Sequence, residues 1–306
     1  MLIEWRPVKL STRTGIEVRR TLPHAKLKMI GAWCFVDHFG PTKQTDGMVV
    51  AQHPHTGLQT VTWLIEGRIE HRDSIGSVQL IEPGQLNLMT AGHGISHSEI
   101  SLVGNSGLGP ENLNAVQLWV ALPKDSINVA PEFEHQSDLP KFQLPTISGG
   151  QALVSVLAGE LAGVVAPTKI FSPLMGAELR LNAGESITLP LNPEFEYGFM
   201  PAQGSITIGA ETASTSSVIY HEPGLDQLTL TANQDAIVLM LGGQPFGEKI
   251  LMWWNFIGRT NEDIVRARED WNNHQTQVGG RFREFSDNVG GWLPAPELPN
   301  VTLQPR

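Results

Sequence analysis

Short stretches in which apolar and polar residues alternate recur along the whole chain, and each ends at a turn residue. Examples are LQTVTWLIEG (58–67), SVQLIEPG (77–84), NAVQLWVAL (114–122) and GSITIGA (204–210). A period of two places neighbouring side chains on opposite faces of a strand, and Gly or Pro between such stretches favours tight turns. The pattern predicts an all-β fold of many short antiparallel strands, arranged as sandwiches or barrels.

Two related units are expected. The 306 residues exceed a typical single domain of about 100 to 200 residues, and the polar, proline-bearing stretch 123–145 has no sustained period. We place a boundary there, giving an N-terminal unit 1–140 and a C-terminal unit 141–306. LIEGRIEH around Gly67 matches PAQGSITI around Gly204 at an offset of 137, and IEPG ending at Gly84 matches HEPG ending at Gly224 at 140. The similar offsets predict a duplication.

The last sixty residues have a different character. Thr260 and Asp263 have the spacing of a capping box, which predicts a helix over about 261–272. The sequence beyond the helix contains too many glycines and prolines to form regular secondary structure. We expect this tail to wrap the surface or to reach back to the other unit.

Composition narrows the class of protein. Apolar residues make up 41% of the chain and charged residues 17%, which is typical of a soluble globular protein. The net charge of −10 argues against a nucleic acid or an anionic membrane as a direct partner. The single cysteine, Cys34, excludes an internal disulfide and is expected to be buried among apolar neighbours. No signal-like segment or membrane span is evident, so a cytoplasmic location is the expectation.

Histidines are concentrated in the first unit, where five of the ten lie between His53 and His97. His53 and His55 are two positions apart in the sequence, and so are His97 and Glu99. Residues i and i+2 of a strand share a face. The spacing predicts that three imidazoles and one carboxylate surround one metal ion. An octahedral ion would keep two open positions, and this N,O donor set suits Fe, Mn, Ni, Cu or Zn. Because imidazole binds metal only when neutral, we expect metal retention to weaken at mildly acidic pH.

Several neighbouring residues have a structural interpretation instead. One His-x-His pair is more often two ordinary histidines, and only the second pair makes a metal site the better hypothesis. We interpret two further histidines as structural: His71, in the turn-like EHRDSIG, and His93, between two glycines. The alternative for His93 is that it lines the mouth of the pocket. Asp37 and His38 in VDHFGP could contact the metal ligands rather than the metal itself, or they could belong to a turn. Pro54 cannot donate a ladder hydrogen bond, so its strand should lie at an edge, at its own start or at a bulge.

The motifs VDHFGP, HPHTGLQTVTWLIEG, PGQLNLMTAGHGISHSE, QLWVALP and GGQP, followed by a terminal helix, together resemble the pirin family of the cupin superfamily. The resemblance covers nearly the whole chain. It implies two tandem antiparallel β-barrels (a bicupin), with one divalent metal, usually Fe(II), in the N-terminal barrel. Its ligands would be His53, His55, His97 and Glu99.

Two departures from this pattern stand out. Many pirins have a glutamate where this chain has Gln59, so a charged role near the metal or the substrate would be lost. The duplication offsets place the counterparts of the two ligand pairs at Pro190, Asn192, Ile237 and Leu239. None of these four is a good metal ligand, and His221 alone cannot form a site. The C-terminal barrel is therefore expected to lack a metal.

The resemblance implies a function at the metal site. Bacterial pirins similar to this chain are associated with a quercetin 2,3-dioxygenase-like activity, in which a flavonol and O₂ are the substrates and Glu99 acts as general base. The alternative is an iron-dependent co-regulator that binds a protein partner without turnover. A non-oxidative cupin such as an isomerase, which would work without oxygen, is a third class. A cavity of several hundred Å³ at the metal would favour the enzyme, and a sealed site would favour the regulator.

Overall fold

The structure is a computed structural model that describes residues 1–10, 17–43, 48–101, 112–274, 280–283, 285 and 290–305. Within these residues the chain forms 26 β-strands, one short 3-10 turn at Lys124–Ser126 and one α-helix. The all-β prediction is confirmed. In the part of the chain that is described, no helix has the length and apolar character needed to cross a membrane.

Twelve strands precede residue 140. They are β1 (Leu2–Ile3), β2 (Arg6–Lys9), β3 (Glu17–Leu22), β4 (Trp33–Lys43), β5 (Val49–His55), β6 (Leu58–Glu66), β7 (Ile69–Asp73), β8 (Val78–Ile81), β9 (Leu86–Thr90), β10 (Ile95–Ser101), β11 (Asn112–Ala121) and β12 (Glu132–Gln136).

Fourteen strands and the helix follow. They are β13 (Lys141–Pro145), β14 (Gln151–Ala158), β15 (Glu160–Leu161), β16 (Val164–Val165), β17 (Leu174–Leu181), β18 (Ser186–Pro190), β19 (Glu196–Gln203), β20 (Ser205–Ile208), β21 (Glu211–Ser214), β22 (Val218–His221), β23 (Gln227–Ala232), β24 (Ala236–Gly243), β25 (Leu251–Trp253), β26 (Phe256–Gly258) and α1 (Asn261–Asn272).

Each unit consists of a seven-stranded and a four-stranded antiparallel sheet. The N-terminal unit has the orders β12-β9-β6-β11-β4-β3-β2 and β5-β10-β7-β8, and the C-terminal unit has β1-β22-β19-β24-β17-β14-β13 and β18-β23-β20-β21. The two sets correspond strand for strand, as a duplication requires. The sheets form cupin-like sandwiches rather than the closed barrels that the resemblance implied. β1 lies at the start of the sequence but joins a sheet of the C-terminal unit, so the two units are not divided at a single point of the chain. The boundary near residue 140 remains a prediction.

The two seven-stranded sheets pack against each other through their outer faces. Val61 and Trp63 of β6 share one buried apolar cluster with Leu239 and Leu241 of β24. Thr62 lies between Val61 and Trp63 and faces the opposite way, toward the interior of the N-terminal unit, where its hydroxyl donates to Glu99. Both faces of β6 are therefore covered, which explains why its first seven residues are all buried.

The segment that follows His55 holds β5 in place. Gly57 has φ +71°, and a Cβ there would lie 2.3 Å from the carbonyl oxygen of Ile257, so only glycine fits. β5 is an edge strand of its four-stranded sheet, as Pro54 predicts. On its open side, Gln52 and Thr56 make isolated parallel bridges to Trp292 and Phe256, on either side of the proline.

The helix and tail cover this edge of the N-terminal unit. The predicted capping box at Thr260 and Asp263 is present at the start of α1. Trp271 of α1 packs with Phe282 and Trp292 of the tail in one apolar cluster. The amide of Gln52 donates to the carbonyl of Gly291, and the amide of Leu293 donates back to the carbonyl of Gln52. The tail therefore reaches back to the N-terminal unit, one of the two arrangements expected.

Candidate metal centre

Two neighbouring strands bring three histidines together. His53 and His55 lie on β5, and His97 lies on β10 directly opposite His53 in the strand register. All three are buried, and one ring nitrogen from each lies within 4.8 Å of the other two. Of the four residues predicted to converge, the structure brings these three together, and their assignment as metal ligands remains a prediction.

The ring nitrogens that face one another are the Nε2 atoms. Nε2 of His55 and Nε2 of His97 are 3.1 Å apart. Nδ1 of His53 is 2.9 Å from the carbonyl oxygen of Ala51 and donates to it, which leaves its Nε2 free to accept a metal. Metal–nitrogen bonds of about 2.1 Å separate two ligand nitrogens by about 3.0 Å at a right angle and about 3.4 Å at a tetrahedral angle. The observed spacing of 3.1 Å lies between these two values, so His55 and His97 are close enough to bind one ion.

The three rings have the protonation state that metal binding requires. Burial lowers the pKa of His53 to about 4, although the carbonyl of Ala51 opposes the shift. Burial, together with the neighbouring histidines, lowers the pKa values of His55 and His97 well below 6.5. Neutral imidazoles at pH 7 satisfy the requirement. Protons should therefore compete with a metal ion for these nitrogens only at a pH well below 6.5, which is lower than the mildly acidic pH expected from the sequence.

Glu99 lies in the same interior but outside the group of three nitrogens. Two residues of β10, from His97 to Glu99, pass three residues of β5, from His53 to Val50, which is a β-bulge in the pairing. The Glu99 carboxylate is 7% exposed and accepts a hydrogen bond of 3.3 Å from Thr62 Oγ1. Burial raises its pKa, and His71 and Thr62 act in the opposite direction. The assignment of Glu99 as a fourth ligand remains a prediction.

A cleft of about 400 Å³ leads to these residues. One wall is a stack of planar groups, in which the Arg20 guanidinium lies 4.3 Å from the Phe35 ring and Phe35 lies 3.9 Å from Trp119 at an interplanar angle of 11°. Trp119 meets the His55 ring edge-on at 5.1 Å. The cleft therefore has an aromatic wall that reaches His55.

The cleft is also lined by residues near the end of the chain. They are Met252 of β25, Trp254 and Asn255 of the turn between β25 and β26, and Leu293 of the tail. Trp254 has φ +51°, a left-handed conformation that costs an ordinary residue about 1 kcal/mol or more. The hairpin thus keeps a strained turn where an aromatic side chain meets the cleft.

Asp37 also lines the cleft and is not in a turn. It lies on β4, and its two carboxylate oxygens accept bonds of 2.7 Å from Nε and Nη2 of Arg20. Burial raises the pKa of Asp37, which the ion pair with Arg20 partly offsets. The adjacent His38 faces away from the cleft, where its Nδ1 lies 2.7 Å from Ser216 Oγ of the C-terminal unit. Neither residue touches the three histidines.

His71 has a closer relation to the site than its sequence context suggested. It lies on β7 and is buried, with Nδ1 3.3 Å from Nδ1 of His97 and Nε2 3.0 Å from Oδ2 of Asp73. Burial acts to raise the pKa of Asp73, but the hydrogen bonds from His71 and Ser77 lower it below its ordinary value. The interpretation of His71 as part of a turn was wrong, because the turn begins only after Asp73.

Two other expectations concern residues that the structure places outside the cleft. His93 is exposed, is not among the described residues that line the cleft, and accepts a hydrogen bond from Arg281 through its carbonyl oxygen. The side chain of Gln59 is 1% exposed and donates to Thr90 Oγ1 at 2.9 Å and to the carbonyl of Lys169 at 3.1 Å. Gln59 therefore joins the two units and is not among the described residues that line the cleft.

Strand register identifies the equivalent positions in the C-terminal unit. His53 pairs with His97 as Leu189 pairs with Leu228, and Pro54 pairs with Ser96 as Pro190 pairs with Gln227. On the other side of β10, Ile69 pairs with Ser101 as Ile206 pairs with Ala232. The counterparts of His53, His55, His97 and Glu99 are therefore Leu189, Leu191, Leu228 and Leu230.

This register corrects the positions that the constant offsets predicted. Pro190 and Asn192 are each one residue too late, and Ile237 and Leu239 lie on β24, which corresponds to β11 rather than to β10. The IEPG and HEPG turns are not equivalent, because the first follows β8 and the second follows β22, the counterpart of β9. The four leucines are buried and have no donor atoms for a metal.

Comparison with known proteins identifies the family of this chain. The Pirin family model matches residues 15–120, and the model for the pirin C-terminal cupin domain matches residues 176–277. The chain belongs to the pirin family. A Pseudomonas aeruginosa pirin-type relative, provisionally named quercetin 2,3-dioxygenase, is 44% identical over 93% of this chain and 87% of its own length.

Solved structures include close structural neighbours of this pirin. The crystal structure of a quercetin 2,3-dioxygenase from Acinetobacter baumannii is 40% identical, with a TM-score of 0.90, and the match covers 98% of this chain and 96% of that one. A bacterial pirin from Escherichia coli in complex with nickel(II) is 20% identical, with a TM-score of 0.57 over 80% of this chain and 99% of that one. The second likeness concerns the fold alone.

Proposed function

We propose that this pirin holds one divalent metal ion through Nε2 of His53, His55 and His97 and oxidises a flavonol with O₂, as a quercetin 2,3-dioxygenase does. The observation that carries the proposal is the cleft of about 400 Å³ that leads to the three histidines. Pockets for small molecules typically measure about 300 to 1,000 Å³ and are mainly apolar with a few placed polar groups. Such a cleft favours an enzyme over a sealed regulatory site.

The residues of the cleft suit a flat, hydroxylated aromatic substrate. The rings of Phe35 and Trp119 form an apolar aromatic part of the lining, against which an aromatic ligand would pack, for example in edge-to-face geometry. A bound metal ion would supply Lewis acidity toward the oxygens of the substrate and open positions for them. We assign Fe(II) as the metal from the N,O donor set and the family, with Mn, Ni, Cu and Zn as competitors.

Glu99 is proposed as the general base and as a fourth metal ligand. Its carboxylate is buried and lines the same cleft as the three histidines, so a substrate bound there would meet both. It would take the proton of the flavonol hydroxyl, and Thr62 Oγ1 lies 3.3 Å from its Oε1 and 3.1 Å from Oε1 of Gln117. Removing a general base lowers a rate by about 10² to 10⁴.

The test is a metal-by-metal assay. Metal-free protein is loaded under argon with Fe(II), Mn(II), Ni(II) or Cu(II), and loss of the flavonol absorbance is followed after O₂ is admitted. We expect turnover with at least one metal, no turnover under argon, and a loss of about 10² to 10⁴ in Glu99→Gln. Glu222→Gln, an exposed glutamate of the other unit, is the matched control.

Other results would contradict the proposal. If no metal supports loss of the flavonol, the dioxygenase proposal is wrong, and recovery of a protein partner only by the metal-loaded chain would then favour the regulatory function. Turnover under argon would indicate a non-oxidative reaction. Elemental analysis of protein purified without a metal-affinity tag tests the assignment of iron.

A further inference from the structure

Two buried side chains behind His97 have no part in the proposed chemistry. His71 is 3% exposed and Asp73 is 1% exposed, and neither is among the described residues that line the cleft. They nevertheless form a continuous chain of polar contacts to the metal site, because Nδ1 of His71 is 3.3 Å from His97 and its Nε2 is 3.0 Å from Asp73. Their contact with the site is therefore through His97 and not through a substrate.

The positions of the protons in this chain follow from its two ends. Nε2 of His97 faces Nε2 of His55, so a neutral His97 that binds metal through Nε2 carries its proton on Nδ1. That N–H has Nδ1 of His71 as its acceptor. His71 must then carry its own proton on Nε2, where the carboxylate of Asp73 accepts it. Every donor has an acceptor in this arrangement, and reversing either ring removes one.

Both outer members of the chain are held without help from a metal. Oδ1 of Asp73 accepts the backbone amides of Ile75 at 3.0 Å and Ser77 at 2.9 Å, so the turn after β7 fixes the carboxylate. The ring of His71 stacks on Phe133 of β12 at 4.4 Å and 18°. The orientation of His97 is thus set by a turn and a strand on its far side from the cleft.

We propose that Asp73 and His71 are positioning residues for the metal site: they hold His97 in the Nδ1–H tautomer and in the ring orientation that directs Nε2 to the metal. The inference rests on the proposed metal function of the three histidines. Carboxylate partners of ligand histidines generally fix the tautomer and make the ligand a better electron donor, and their loss costs about 10- to 100-fold in metal affinity. Here the carboxylate acts through a second imidazole.

Asp73→Asn tests the tautomer directly. The amide oxygen of the asparagine must take over the bonds from Ile75 and Ser77, so its NH₂ group would face Nε2–H of His71. That contact joins two donors, and the proton of His71 would move to Nδ1, where it would oppose the N–H of His97. We expect the affinity for Ni(II), measured by competition with a chromophoric chelator at neutral pH, to fall about 10- to 100-fold.

Glu70→Gln is the matched control. Glu70 is also an acidic residue of β7, but it lies on the other face, where it pairs with Arg72 at 2.7 Å. The control removes the same charge from the same strand and should leave the Ni(II) affinity within about threefold of the unmodified protein.

Two variants at His71 separate positioning from packing. His71→Phe keeps a ring against Phe133 but offers no acceptor to His97, and we expect the same loss of affinity. His71→Gln offers an amide oxygen as acceptor and should recover part of it. The d–d absorption bands of the Co(II)-loaded protein should shift in His71→Phe and move back in His71→Gln, a change that altered packing alone would not produce.

The outcomes are distinguishable. If the unmodified protein binds no Ni(II), the proposed metal function fails. If it binds, and folded Asp73→Asn and His71→Phe both bind within about threefold of it, the positioning role is overturned while the metal site stands. Should Asp73→Asn fail to fold by circular dichroism, the two His71 variants, which leave the Asp73 turn intact, decide alone.

Discussion

At the scale of single residues, Gln59 shows why a motif position needs its neighbours to be understood. Its amide nitrogen donates both to Thr90 and to a carbonyl of the C-terminal unit, Lys169, and it is buried away from the cleft. A glutamate at this place would set a carboxylate against that carbonyl. The glutamine is therefore suited to joining the two units, and it is not among the described residues that line the cleft.

We predict that Gln59→Glu destabilises the protein without changing its chemistry. Loss of the donor to Lys169 and burial of an unpaired carboxylate should lower the free energy of unfolding by about 1 to 3 kcal/mol at pH 7. Denaturant unfolding measures the loss, and the rate of flavonol turnover per folded molecule should stay the same. Gln143→Glu adds the same charge at an exposed position and serves as the control. A change in turnover with unchanged stability would contradict this account.

Residue-level reasoning from the sequence predicted the three histidines and missed His71. The i, i+2 spacing placed His53 and His55 on one face correctly, because β5 is regular between them. His71 was missed because EHRDSIG contains a real turn, which begins only after Asp73. Ile69, His71 and Asp73 are buried and alternate with half-buried Glu70 and Arg72. That alternation includes polar residues on the buried face, so a search for apolar periodicity alone does not detect it.

At the scale of elements, the sequence predicted the helix and the tandem units better than their register. Thr260 and Asp263 form the predicted capping box because its residues are local in sequence. The constant offset failed because the two units differ in loop length and β5 carries an extra residue opposite β10. Bulges and loop lengths depend on pairing between distant segments, which one sequence does not disclose. The spacing predicted Glu99 as the fourth ligand, and for the same reason that assignment remains a prediction.

The tail is an element whose docking can be tested. Phe282 is 2% exposed and packs against Trp271 of α1 and Phe256 of β26. Phe282→Ala should remove roughly 3 kcal/mol of docking free energy and speed hydrogen exchange of the Gln52 and Leu293 amides about 100-fold. Mass spectrometry of exchanged peptides measures this.

The control for the tail is Val301→Ala, because Val301 is 68% exposed. It should leave the exchange of both amides as it is. Equal protection of Gln52 in Phe282→Ala and in the unmodified protein would show that Phe282 does not hold the tail on β5.

At the scale of the whole molecule, the contact between the units includes a buried titratable group. His38 is fully buried, with Nε2 donating to Asn114 Oδ1 at 2.7 Å and Nδ1 accepting from Ser216 across the interface. Burial lowers its pKa to about 4, although the bond to Asn114 opposes the shift. The contact therefore requires a neutral imidazole. The alternation of polar and apolar residues in the sequence could not reveal this buried histidine, because both faces of β4 are covered.

We predict that His38 makes the folded protein sensitive to acid. Its folded pKa is below the unfolded value of about 6.5, so the unfolded chain binds more protons between these limits and stability falls as the pH drops from 6.5 to about 4. The contribution reaches about 3 kcal/mol and is constant below pH 4. In metal-free protein, His38→Gln should show a flatter dependence of unfolding free energy on pH than the unmodified chain.

The comparison of slopes cancels the other buried histidines, which both proteins share. His24→Asn, at a half-buried turn away from the interface, is the control and should keep the slope of the unmodified protein. Identical slopes for His38→Gln and the unmodified protein would show that this histidine does not link protonation to folding.

The pairing of the tail with β5 also orders events during synthesis. Gln52 leaves the ribosome 231 residues before Arg283, whose carbonyl accepts from its side chain. At a translation rate of about 5 to 20 residues per second, roughly 10 to 50 seconds separate the two. During that interval the strand with His53 and His55 has a bare edge that could pair with another chain. Docking of the tail closes this edge, so a nascent chain is most exposed to misassembly before the segment from Arg283 to Leu293 is made.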